Sequence, residues 1–159
     1  MQSRRLARKA RWLRWAMNFY PPYLGAGIRV GHIAADFRRV QVSMGLHRFN
    51  RNYVGTQFGG SLYAMVDPFY MLMLLENLGP DYIVWDKAAS IDFIAPGKGR
   101  VRAEFSLDEA LLSEIRAQTA CGDKYLPQLQ VDIRDAQGGL VARVHKTLYV
   151  RLKPRQRQA

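Results

Sequence analysis

The chain holds a single cysteine, Cys121, among 159 residues, which excludes an internal disulfide scaffold and points to a reducing compartment. Histidine is almost as scarce. His32, His47 and His145 stand far apart, with no pair at ligand spacing, so neither a histidine–cysteine metal site nor a cofactor is expected. Long apolar runs are missing too. The most apolar stretch, residues 62–75, falls short of the roughly 20 residues that span a bilayer, and it contains Asp67 and Pro68. A buried helix accounts for it better. No uninterrupted apolar region or small-residue cleavage site follows the basic start, so a secretory signal is not expected and a cytoplasmic location is. Internal repeats and low-complexity tracts are absent as well.

Acidic residues are few: 13 against 24 lysines and arginines, for a formal charge of +11. Such a balance raises nucleic acid as a partner, but its distribution speaks against that. Residues 1–20 carry +6 and residues 151–159 carry +4, both without an acid, which leaves about +1 on residues 21–150. No nucleic-acid partner is expected of this near-neutral middle. The apolar share of 48% is that of an ordinary globular domain.

Periodicity divides the chain into a basic amphipathic segment over 1–22, a domain over 23–152 and a basic tail over 153–159. Leu6, Ala10, Leu13, Met17 and Tyr20 recur at helical spacing, Trp12 and Trp15 lie off that stripe among arginines, and Pro21-Pro22 predicts the helix end. The stripe can pack on the domain or a partner subunit; the basic face with its tryptophans also suits peripheral contact with an inner membrane surface. Strands are predicted at 27–33, 40–46, 82–95, 101–107, 129–133 and 140–152, and a short helix at 109–121. One long helix, apolar nearly all round, is predicted from Gly59 to about Leu78. The expectation is an α+β fold: an antiparallel sheet with one face covered by a single enclosed helix.

The stretch richest in chemistry is Asn52-Tyr53-Val54-Gly55-Thr56-Gln57-Phe58-Gly59-Gly60, with Asp67 seven residues further on. Two glycines at a loop-to-helix junction let a ligand approach the backbone. The first amides of a helix lack internal acceptors and can hold a developing oxyanion. Asp67 falls roughly 80° round a continuous helix from Gly59. An isolated carboxylate there needs a polar cleft or a hydrogen-bond network. Gly59-Gly60 also suits tight helix–sheet packing, Asp67 a structural carboxylate bonded to backbone, and Asn52 a turn. These readings stay open. Asp86 and Lys87 read as a solvated or interface pair, and His145 as an outward strand residue.

This pattern resembles the Asn-x-x-Gly-x-x-His-Gly-Gly-x-x-x-x-(apolar)-x-Asp/Glu signature of hotdog acyl-CoA thioesterases of the phenylacetate-pathway and 4-hydroxybenzoyl-CoA branches. Asn52, Gly55, Gly59, Gly60, Met65 and Asp67 fall in register. The runs 90–97 and 135–142 are similar to later segments of the same enzymes. The wording of 55–61 and 84–87 is similar to a bacterial hotdog family, the domain of unknown function 4442.

The resemblance implies a hotdog fold, hydrolysis of a fatty or aromatic acyl-CoA, and an active site between subunits of a homodimer or a dimer of dimers. It makes Asp67 the nucleophile or general base, the Gly59 amide the group that polarises the thioester carbonyl, and Asn52 the group that orients water or carbonyl. Gly60, Thr56, Phe58 and Ser61 would line the substrate. Arg100, Arg102 and Arg143 are candidates for the nucleotide phosphates. The chain departs from the signature at Phe58, where the family has histidine, and at Met71, where the hydroxybenzoyl branch has a hydroxyl. Both changes make the site more apolar, which suits a fatty acyl chain or a non-catalytic acyl-CoA- or lipid-binding module.

Overall fold

A computed structural model describes residues 2–154. Alternation sets the strands. In β1 (Ile28–Ile33), β2 (Arg39–Met44) and β4 (Val101–Ser106), apolar residues such as Val40, Val42, Val101, Ala103 and Phe105 face inward and the intervening polar residues face out. β3 (Tyr82–Phe93), β5 (Lys124–Tyr125), β6 (Gln128–Asp135) and β7 (Leu140–Leu152) complete a seven-stranded antiparallel sheet. Its order is β1-β2-β4-β6-β7-β3, with β5 beside β7. β1 and β3 therefore form its two edges.

The segment predicted as one helix is two. α3 (Gly59–Ala64) and α4 (Phe69–Leu78) are separated by a turn at residues 65–68. Pro68 lacks the N–H that a continuous helix would use, and its ring crowds the preceding turn, so the axis breaks beside Asp67. α4 still covers the inner face of the sheet. Phe69 and Tyr70 pack on Phe105 at ring-centroid distances of 5.0 and 5.1 Å, and the Tyr70 hydroxyl donates to the Gln130 carbonyl at 2.7 Å. This is the hotdog arrangement, a sheet wrapped round a central helical segment. Burial and the nearby Asp132 push the Tyr70 phenol up to about 12.

α5 (Glu109–Thr119) starts at Asp108, whose carboxylate accepts from the Leu111 amide at 2.8 Å, an N-cap that offsets one orphan donor. Leu112 and Ile115 are buried.

At the N-terminus, α1 (Gln2–Asn18) ends where expected, but Pro21-Pro22 do more than end it. They open a second helix, α2 (Pro21–Ala26), because proline is tolerated where the helix amide has no partner. Gly27 closes α2 in the left-handed region, with φ 71°, which glycine adopts without a Cβ penalty. Ala10 is buried and Leu13 and Met17 pack on the core, whereas Tyr20, expected on the same stripe, is exposed. The break after Asn18 turns it outward. Asn18 fastens the junction by donating to the Val30 carbonyl and accepting from the Val30 amide, at 3.0 and 2.8 Å.

Candidate active site

The loop before α3 is fixed by side chains that act as backbone substitutes. Asn50 is buried. Its amide donates to the Ala26 and Gly45 carbonyls at 2.8 and 2.6 Å, and its oxygen accepts from the His47 amide at 2.8 Å. Two residues on, Asn52 closes a tight loop. Its oxygen accepts from the Thr56 amide at 2.9 Å, and its Nδ2 donates to Thr56 Oγ1 at 2.9 Å and to the Gln57 carbonyl at 3.2 Å. Gly55, at φ 85°, supplies the left-handed residue this loop requires. Buried Gln57 ties it to the connection between β3 and β4, donating through its backbone amide to the Gly97 carbonyl and through its side chain to the Gly99 carbonyl, each at 2.9 Å. Replacing Asn50 with alanine leaves two carbonyls and one amide without partners. It is expected to cost about 2–3 kcal/mol, measurable as a lower urea midpoint with an unchanged slope.

Phe58 is the extended residue before α3; its carbonyl accepts from the Ser61 and Leu62 amides. The Gly59 and Gly60 amides thus belong to the helix start, where no intrahelical acceptor exists. Aromatic rings lie against both glycines. A Cβ on Gly59 would come within 2.9 Å of Phe93 Cζ, and one on Gly60 within 2.5 Å of Phe58 Cε1. Both rings are more than half exposed. Ser61 is buried and Thr56 is half-buried.

Asp67, in the break between α3 and α4, is 48% exposed at its side chain. The partner its isolation demanded is Lys146. The Lys146 ammonium is fully enclosed; it donates to the Asp67 carbonyl at 2.5 Å and to Asp67 Oδ1 at 3.2 Å. It also lies 3.1 Å from Asp86 Oδ1, an ion pair without hydrogen-bond alignment. The Tyr63 ring faces the same ammonium, its centroid 5.5 Å away. Burial raises the Asp86 carboxyl above its ordinary range, opposed by Lys146. Burial and the Asp67 carboxylate together push the Tyr63 phenol up. One cation thus joins β7, β3 and the helix break, and it fixes the backbone that aims Asp67.

Each residue singled out in the sequence can now be located. Asn52, Thr56 and Gln57 make one loop, and Phe58, Gly59, Gly60 and Ser61 the helix start that the loop delivers. Asp67 lies beyond, at the far end of α3. Gly59 opens α3 and Asp67 lies three residues past its last residue, Ala64, so the length of that helix stands between them within one chain. The Asn52 side chain is engaged by its own loop, which makes it a turn residue here.

Asp86 is not a solvated partner of Lys87. Its side chain is 22% exposed and turned inward to Lys146, because it lies two residues from buried Val84 and so on the same face, ahead of the bulge between Asp86 and Ala88. His145 does point outward and pairs with Asp92 at 3.3 Å. Of the candidate phosphate-binding arginines, Arg143 is engaged by Asp132 at 2.8 Å. Arg100 and Arg102 line an outer-face cleft of about 730 Å³ with Arg134.

Sequence reasoning missed Lys146 and Asn50. A signal for Lys146 existed: it continues the inward series Ala142, Val144, Leu148 and Val150 on β7, and a lysine at an inward position needs a buried acid. Asn50 gave no signal, since an asparagine in a loop is ordinary until its carbonyl partners are known. Among the described residues, no three of His, Cys, Asp and Glu converge as metal ligands.

Comparison with known proteins fits this architecture. The fold is similar to that of PA5026 from Pseudomonas aeruginosa, a protein of unknown function called a "Probable Thioesterase" (TM-score 0.78, 19% identity, 89% of this chain and 95% of that one). It is also similar to the thioesterase HI1161 from Haemophilus influenzae (0.65, 15%, 94% and 94%). A third likeness is to a mutant form of the thioesterase PA1618 from Pseudomonas aeruginosa (0.65, 12%, 89% and 93%). At such identities these likenesses establish the hotdog fold and no more. No curated protein matches the sequence. A family model does match, over residues 8–150. With nearly the whole chain covered, this protein belongs to the family called Domain of unknown function (DUF4442).

Proposed function

We propose that this protein is an acyl-CoA thioesterase that hydrolyses a fatty or aromatic acyl-CoA at a site shared between two subunits. The observation that carries this reading is the half-exposed Asp67 carboxylate, held by an enclosed lysine in a helix break, on a chain that also presents a glycine helix start. Asp67 of one subunit activates water, or attacks directly, while the Gly59 amide of the other polarises the thioester carbonyl and takes its developing charge. The six residues of α3 and part of the turn after it separate the two groups within one chain, and pairing two chains is the simplest way to bring them together.

The β3 edge supports such pairing. It is 12 residues long, and Ala88, Ala89, Phe93 and Ile94 are exposed along and just beyond it. A long apolar strand edge is a template for a second copy. The Phe93 ring lies against Gly59, so a partner on β3 would adjoin the helix start. Asn52 contributes by shaping the loop rather than by touching water. Exposed Tyr53, Val54 and Phe58 offer apolar surface for an acyl chain.

A second reading has one observation in its favour. Phe58 replaces the family histidine and its ring lies against Gly60, which suits an acyl-CoA- or lipid-binding module without turnover. A hydrolysis screen over short, long and aromatic acyl-CoAs separates the two. The proposal expects turnover on at least one class; binding with no turnover across all of them would leave the module.

A further inference from the structure

We infer that the outward face of α1 docks on an anionic bilayer, with Trp12, Trp15 and Phe19 entering the interface and Arg4, Arg5, Arg8 and Arg11 meeting lipid phosphates. At 100° per residue, Leu6, Ala10, Leu13 and Met17 fall in one sector of roughly 60°, the one that packs inward. The two tryptophans and four arginines occupy a sector of roughly 120° on the opposite side, and Phe19, just past the helix end, lies against Trp15 at a ring-centroid distance of 4.8 Å. Exposure follows that division. Trp12, Trp15 and Phe19 are 65%, 60% and 58% exposed, and the four arginines are exposed. The face is ordered along its length: arginines dominate its first half, aromatics its second, and exposed Tyr20 and Leu24 extend the apolar end into α2.

Arginines beside tryptophan and an aliphatic tip match the headgroup–acyl boundary, where the rings sit at headgroup level and the cations find phosphate. The helix is also held rigidly enough to present this face. Lys9 pairs with Glu76 at 2.7 Å, and Arg14 donates to the Gly31 carbonyl at 3.1 Å. No helix among the described residues is long and apolar enough to cross a membrane, so the contact is peripheral.

Other occupants fit less well. A second copy would set this acid-free cationic face against its own like charge. α1 lies along β1, the edge opposite β3, so strand pairing at β3 leaves it uncovered. A nucleic acid would engage the arginines and rings but has no use for Leu24. The inference stands whether or not the chain hydrolyses thioesters.

The test is flotation of the full chain with phosphatidylcholine vesicles, with and without phosphatidylglycerol, in increasing salt. Alongside, the Trp85→Phe variant reports the emission of Trp12 and Trp15. Binding is expected only to anionic vesicles, with a blue shift and quenching by brominated acyl chains. The Trp12→Ser/Trp15→Ser/Phe19→Ser variant should lose more than tenfold in partitioning. Each Arg→Gln at positions 4, 5, 8 and 11 should lose about fivefold. Because these side chains are exposed, the thermal midpoint should hold in all variants. No binding to anionic vesicles, binding without blue shift or quenching, or displacement of vesicles by a single-stranded oligonucleotide would each overturn the proposal.

Discussion

Replacing Asp67 with asparagine is expected to lower acyl-CoA turnover by about 10²–10⁴-fold, the usual loss when a positioned base is removed. The substitution is nearly isosteric. Asparagine keeps an oxygen that can accept from Lys146, whose shortest contact is to the Asp67 backbone carbonyl in any case. Fold and substrate binding should therefore persist, and the loss should fall on kcat rather than KM, the signature of a group that acts in the transition state. Stopped assays on the best substrate from the screen, with far-ultraviolet circular dichroism as control, give the comparison. Full turnover in the variant would remove Asp67 from the chemistry and leave the hydrolysis to another group.

Lys146→Met is expected to cost about 3 kcal/mol of stability, at the lower end for breaking an enclosed pair. Methionine fills similar volume, so the loss is electrostatic. Asp67 is half exposed and water screens its share. Most of the cost comes from the Asp67 carbonyl, left without its donor, and from Asp86, only 22% exposed at its side chain.

The pH dependence has a definite sign. Burial already raises the Asp86 carboxyl, and losing the opposing cation raises it further. A carboxyl raised in the folded state favours the fold when protonated. The variant's deficit should thus be largest above the folded-state pKa of Asp86 and shrink as pH falls through it. Adding Asp86→Asn should recover part of the loss at neutral pH. Urea denaturation across pH decides the matter: a loss under about 1 kcal/mol, or no recovery in the double variant, would mean that the lysine does not hold these elements together.

Why these two residues differ so much in legibility is physical. Asp67 stands out in sequence because a lone carboxylate in an apolar run is costly, and its spacing from Gly59 places it in a known signature. Lys146 lies 79 positions away in the chain, and the acids it serves sit on a different strand and in a helix break. Local spacing carries no information about such a meeting. The same holds for Asn50, which reaches back to Ala26. The interrupted helix lay between these cases: Pro68 marked the site of the break, but a kink and a full interruption differ only in how neighbouring elements take up the freed backbone. The proline pair at 21–22 ended one helix as read and began another, because the fixed φ that forbids proline inside a helix suits its first turn.

By itself, the sequence determined the six longer strands but not the short β5, which apolar run would lie inside them, where the basic charge would gather and which loop would precede the glycine pair. These follow from periodicity, backbone stereochemistry and composition, all local properties. The tertiary structure alone decided that a lysine on β7 would hold the helix break, that Asp86 would face inward, and that the helix would stop at Ala64 and leave Asp67 in the turn before α4. Those outcomes depend on strand register and on where an axis breaks, which bring together residues that no sequence window contains.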